Sequence, residues 1–102
     1  MKVLTEGHKY QLSGFENAEN TQEIQFIEKT PIEGTSELKT VNDGTTNEEV
    51  LEVLIDRINY LQGKFPCREN ACAITKLDEA IHWLEARTKN RAARGVEGHS
   101  KA

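Results

Sequence analysis

Residues 67–98, CRENACAITKLDEAIHWLEARTKNRAARGVEG, read as one long helix with an apolar middle and polar ends. Ile74, Leu77, Ile81 and Leu84 recur at three- and four-residue spacing, which is one stripe of a helix. The helix is expected from about Arg68 to Arg94, with Gly95 as its stop. Asn70 stands near its start, and Arg87, Arg91 and Arg94 crowd its finish, where no apolar stripe is left. At a rise of about 1.5 Å per residue, Asn70 and Arg87 lie about 25 Å apart, farther than one small molecule spans. Yet Asn70, Leu77, Leu84 and Arg91 follow at seven-residue spacing, nearly on one line. Two such helices paired antiparallel would bring Asn70 of one chain to Arg87 and Arg91 of the other. The result is two identical polar, cationic pockets at the ends of a dimer seam.

The rest of the chain is patterned to match. A first helix is expected to start at Thr46 or Asn47, with Val50, Leu51, Leu54, Ile55, Ile58 and Leu61 on a broad apolar face. Thr46 and Glu49 have capping-box spacing, and Gly63 and Pro66 break the helix. Residues 1–44 read as β-structure. Residues 8–15 and 22–29 alternate as strands, 36–41 form a weaker third, and Met1 to Thr5 add another. Turns fall at Asn17 to Asn20 and Pro31 to Gly34, and Asn42-Asp43-Gly44 ends the sheet region. The expected fold is α+β: a small N-terminal antiparallel β-sheet followed by a C-terminal two-helix hairpin packed on it. It is read as one domain over residues 1–102, with a sheet part (1–44), a hairpin (46–95) and a tail (96–102).

Composition narrows the function classes. The 102 residues are 36% hydrophobic, little for a self-sufficient core, so association of copies would help stability. No apolar run is long enough to cross a membrane and no leader pattern is seen, so the expectation is a cytosolic protein with no membrane partner. Residues 1–86 carry 8 Lys/Arg against 16 Asp/Glu, whereas residues 87–102 carry 5 against 1. An acidic body with a small basic pole is a poor wrapper of duplex DNA and a better host for a compact anion. Basic residues at a helix C-terminus also complement its dipole, an equally simple account of any one of them. Cys67 and Cys72 point to different helix faces, and with His8, His82 and His99 scattered there is no zinc pattern. No phosphate loop, nucleophile elbow or paired carboxylate appears, so neither catalysis, nor a cofactor, nor a metal is expected.

Binding is the better-supported class. Arg87 and Arg91 are one turn apart, a spacing that suits two guanidinium forks on a diphosphate. Tyr60 falls near the hairpin turn and so near Asn70, an aromatic face beside an amide, as a nucleobase requires. Ordinary core packing accounts for Tyr60 as readily. Trp83 is expected to pack on the sheet or a second interface, and Cys72 and His82 to be packing or surface residues.

These same residues carry a resemblance. The helix Arg-Glu-Asn-Ala-x-Ala-Ile-Thr-Lys-Leu, the Trp-Leu-x-x-Arg-Thr block and the Gly-x-Glu-Gly tail, preceded by NEEVLEVLIDRINYLQG, resemble the phage Thoeris anti-defence family. The likeness is strong across residues 41–99. Members are sponges, not enzymes. They bind the cyclic ADP-ribose signal made by a TIR-domain protein on infection, and release it unmodified when denatured. The resemblance implies an aromatic at Tyr60, an asparagine at Asn70 and an arginine at Arg87 as ligand-binding residues, with Arg91 as a phosphate contact. Tyr60 stands where a family member carries Phe, which keeps the stacking face and adds a hydroxyl. The resemblance further implies a homo-oligomer, a dimer extending to a hexamer in some members, acting in the host bacterial cytoplasm. Some members also hold cyclic di- or trinucleotides of the CBASS defence at separate sites, for which Arg68, Lys76 and Arg94 are candidates by charge alone. The alternative function is a protein- or nucleic-acid-binding module that uses the basic helix end.

Overall fold

The computed structural model describes all 102 residues, in two compact units, Met1–Thr46 and Asn47–Ala102. The first unit holds strands β1 (Lys2–Thr5), β2 (Lys9–Ser13), β3 (Thr21–Gln25), β4 (Glu28–Pro31) and β5 (Leu38–Asn42). The second holds helices α1 (Asn47–Lys64) and α2 (Arg68–Ala93). The class is α+β, as the periodicities imply.

β1, β2 and β3 form an antiparallel sheet in that order, with Tyr10 opposite Ile24 and Leu12 opposite Gln22. Tyr10 and Phe26 meet edge to face, centroids 5.9 Å apart, which gives this small sheet an aromatic contact. One expectation is corrected here. Residues 22–29 are not a single strand: the chain changes partners at Phe26–Ile27, and β4 pairs with β5 in a separate two-stranded sheet. Phe26 N–H donates to His8 O, whereas Ile27 N–H donates to Thr45 O at 2.9 Å and Thr45 N–H to Gln25 O at 2.9 Å. The adjacent apolar pair Phe26-Ile27 breaks strand alternation and is the sequence trace of this switch. Gly44 makes it possible, because a Cβ there would overlap the Gln25 carbonyl and the Phe26 backbone. Pro31, expected in a turn, instead closes β4 opposite Leu38, an edge position where its missing N–H costs nothing.

In the second unit, α1 begins at Asn47, directly after Thr46, with Glu48 and Glu49 complementing the dipole of its first turn. It half-buries Leu51, Ile55, Ile58 and Leu61. α2 half-buries Asn70, Ile74, Leu77 and Leu84 and buries Ile81, which at 7% exposure is the only buried hydrophobic side chain in the protein. The line of seven-spaced residues on α2 is therefore the half-buried stripe of the hairpin. Two helices can cover only one stripe each, so Val53, Leu54, Tyr60, Phe65 and Trp83 remain exposed.

The hairpin turn is fixed by side chains. The Gln62 carboxamide grips Cys67 from both sides, donating to Cys67 O at 3.0 Å and accepting from Cys67 N at 3.0 Å. Cys67 is extended (φ −152°, ψ 159°) and caps α2, its Sγ accepting from Asn70 N–H at 3.4 Å. Cys67 and Cys72 are both free and exposed. Gln62→Ala removes both bonds at the turn and is expected to destabilise the protein by about 1 kcal/mol, because these groups regain water when released. The urea midpoint reads it directly; an unchanged midpoint would mean that the clamp contributes nothing.

Candidate functional site

The residues expected to bind ligand fall at the two ends of the hairpin. At the turn end, Tyr60 is 59% exposed, so it is no core residue, and Lys64 Nζ sits 5.7 Å from its ring centroid. Lys64 is a cation that the sequence reading missed, although its four-residue spacing from Tyr60 on a helix marks it as a neighbour. Asn70, in the first turn of α2, is half-buried, and its carboxamide makes no hydrogen bond within the protein. An aromatic face, a cation and an unused amide therefore share this end.

At the other end, α2 outruns α1. A 26-residue helix beside an 18-residue one leaves about 12 Å, some two turns, beyond the start of its partner. Arg87 lies in this overhang, exposed, with no hydrogen bond or ion pair, so its guanidinium donors are all available. Arg91 is different. It continues the half-buried stripe past the end of α1, and it is only 5% exposed. The tail takes the place that α1 leaves empty. Nε donates to Glu97 Oε2 at 3.2 Å, Nη2 to Val96 O at 3.0 Å and His99 O at 2.7 Å, and Nη1 to Lys101 O. Helix α2 ends so as to turn the tail back. Gly95 N–H donates to Ala92 O and Val96 N–H to Arg91 O, a Schellman closure that Gly95 permits at φ +72°. The two arginines are thus neighbours on the helix but not equivalents. The enclosure of Arg91 went unseen in the sequence, and its one signal was the lone acidic residue, Glu97, in a basic terminus.

The remaining candidates divide. Arg68 and Lys76 line one shallow hollow of about 250 Å³ with Cys72 and Thr75, and Lys76 also pairs with Glu79 at 3.7 Å. Arg94 is not beside them: it lies at the far end of α2, bonded to Asn90 Oδ1 at 2.8 Å and to Ala102 O. Trp83 is 71% exposed, a large aromatic without cover in this chain. His82 is a surface residue, 3.9 Å from Asp78. A groove of about 430 Å³ between the helices is lined by Glu52, Asp56, Asp78 and Glu85, whose charges repel a diphosphate. No helix is long and apolar enough to cross a membrane, and no cluster of metal-binding side chains exists.

The two groups of candidate residues thus lie about 25 Å apart on one hairpin. The profile of the Acb2/Tad1 hairpin domain matches residues 18–89, most of the chain. The chain belongs to the Acb2/Tad1 hairpin family. It is also 52% identical over 61 residues to the protein named Thoeris anti-defense 1 of Bacillus phage SBSphiJ7. That match takes in 58% of this chain and 43% of the phage protein, so it spans less than half of the relative. The hairpin-domain match contains Tyr60, Lys64, Asn70 and Arg87; Arg91 and the tail that encloses it lie beyond its end.

Proposed function

We propose that this protein is a phage anti-defence sponge, which binds a cyclic ADP-ribose-type immune signal in the host bacterial cytoplasm and holds it without degrading it. The observation that carries this reading is the 52% identity to a phage protein named for Thoeris anti-defence, within a shared hairpin family. The disposition of the half-sites supports it. In an antiparallel pairing of two α2 helices, Tyr60 and Asn70 of one copy meet Arg87 and Arg91 of the other. Tyr60 stacks on a base, Asn70 bonds the base edge or a ribose, and the arginines hold the diphosphate. Stacking contributes roughly 1–3 kcal/mol and each charge-assisted hydrogen bond roughly 1.5–3 kcal/mol. One stack and several such bonds reach the roughly 12 kcal/mol of nanomolar binding when the pocket is preformed.

The exposed apolar side chains support assembly. Val53, Tyr60, Phe65 and Trp83 are uncovered in one chain, and side chains of this kind mark protein contacts when they cluster. A homodimer is the smallest unit that completes the site, and a hexamer is the larger assembly of this reading. The Arg68–Lys76 hollow is the place for a cyclic di- or trinucleotide, as a second ligand class.

A capture-and-release assay tests the function. Purified protein is mixed with cyclic ADP-ribose isomers and cyclic oligonucleotides, filtered and heated, and what it releases is identified by mass spectrometry. An intact cyclic ADP-ribose isomer, depleted from the filtrate and recovered on heating, is the expected result. A cleaved product would make the protein an enzyme, and an unaltered filtrate would turn attention to the basic helix end as a macromolecular contact.

A further inference from the structure

Arg91 is the only buried charged side chain in the protein, and its own tail supplies its surroundings. Three carbonyl oxygens (Val96, His99 and Lys101) and the Glu97 carboxylate take four hydrogen bonds from one guanidinium. The Glu97 carboxylate is an anion on the same fork that would take a phosphate. The tail is joined to the helix through Gly95, at φ +72°, and turns again at Gly98, at φ +82°. From these contacts we infer that residues 96–101 are a displaceable latch, in which Glu97 holds the anion seat of Arg91 until a ligand phosphate replaces it.

This inference rests on the reading of Arg91 as an anion contact. Its physical content is competition. The guanidinium cannot serve the tail and a diphosphate through the same donors, so the closed tail lowers the fraction of protein ready to bind. A tail closed nine-tenths of the time leaves about one-tenth competent, and abolishing the closure then raises the affinity about tenfold, weakening it by less. Glu97 is on this account an affinity-setting residue, acting through Arg91.

Two variants of the full chain loosen the latch in different ways. Glu97→Gln removes the carboxylate charge. Gly98→Val keeps every charge and meets open space, but puts a β-branched residue at a left-handed φ, which strains the closed tail alone. Both lie beyond the last helix, and unchanged helical circular dichroism verifies the hairpin. Calorimetry with inorganic pyrophosphate, and separately with cyclic ADP-ribose isomers, reads the effect. Both variants are expected to bind pyrophosphate more tightly than wild type, by up to about tenfold. In an Arg91→Ala background the gain from Glu97→Gln is expected to vanish, which separates the latch from a mere change in net charge.

Pyrophosphate affinity that is unchanged or weaker in both variants overturns the latch, as does a Glu97→Gln gain that survives without Arg91. If the gain appears but no isomer is bound by any form, the latch stands and the sponge reading falls. If every form binds an isomer and pyrophosphate equally, the sponge reading stands and the latch falls.

Discussion

Arg87→Ala is expected to weaken binding of the captured cyclic ADP-ribose isomer by at least about 2 kcal/mol, roughly thirtyfold, without disturbing the fold. The two halves of this expectation come from one observation. Arg87 is exposed on the overhanging end of α2 and has no partner in the chain. Removing it breaks no internal bond, so stability should stay within roughly 0.5 kcal/mol of wild type. A phosphate held by it loses a charge-assisted, two-pronged donor that no neighbour replaces. Arg87→Lys keeps the charge but loses the fork, and should fall between wild type and alanine. Calorimetry and a thermal melt on the same samples separate binding from folding. Wild-type affinity in Arg87→Ala would sink the assignment. Arg91→Ala is a poorer probe, because it also frees the tail and leaves four oxygen acceptors without a donor.

The helices were legible because their signals are periodic and repeated. The stripe Ile74, Leu77, Ile81, Leu84 and the stop at Gly95 suffice to place α2, which runs from Arg68 to Ala93. The strands were legible in place better than in number or partnership: four were expected and five are found. Alternation over 22–29 suggests one strand, and only the contact of Gly44 and Thr45 with Gln25–Ile27 reveals the change of sheet. That contact is formed by residues far apart in sequence, and local pattern carries no information about it. The same limit applies to Arg91. Spacing puts it one turn from Arg87, which suggests a matched pair. Its burial depends on α1 ending two turns short and on the tail folding back, and neither is a property of the residue itself. Tyr60 shows the opposite case. Its position among apolar residues allows core packing, but a two-helix hairpin has no third element to cover that face, and the ring stays exposed. Lys64 above the ring is a purely local pair and could have been read from the sequence.

The proposed pocket, shared between two chains, leads to a mixing experiment with a large effect. Asn70→Ala and Arg87→Ala are each expected to bind poorly alone, since every site in either homodimer lacks one contact. In a mixed dimer the defects segregate. One site combines both substitutions, the first chain's at the turn end and the second chain's at the arginine end, and is doubly damaged. The other joins an intact Asn70 to an intact Arg87 and is whole. Random exchange makes about half of the dimers mixed, each with one whole site of two, so about a quarter of wild-type capacity should return at wild-type affinity. Co-expression with two different affinity tags, followed by tandem purification, would raise this to about half. A site contained within a single chain gives no recovery, because no chain in the mixture carries both residues. About 25 Å of helix lies between Asn70 and Arg87, so a ligand held by both is a ligand held by two copies. Recovery at the expected stoichiometry would therefore fix both the composition of the pocket and the antiparallel sense of the pairing. Its absence, with each single variant still folded, would require the turn end and the arginine end to act as separate sites.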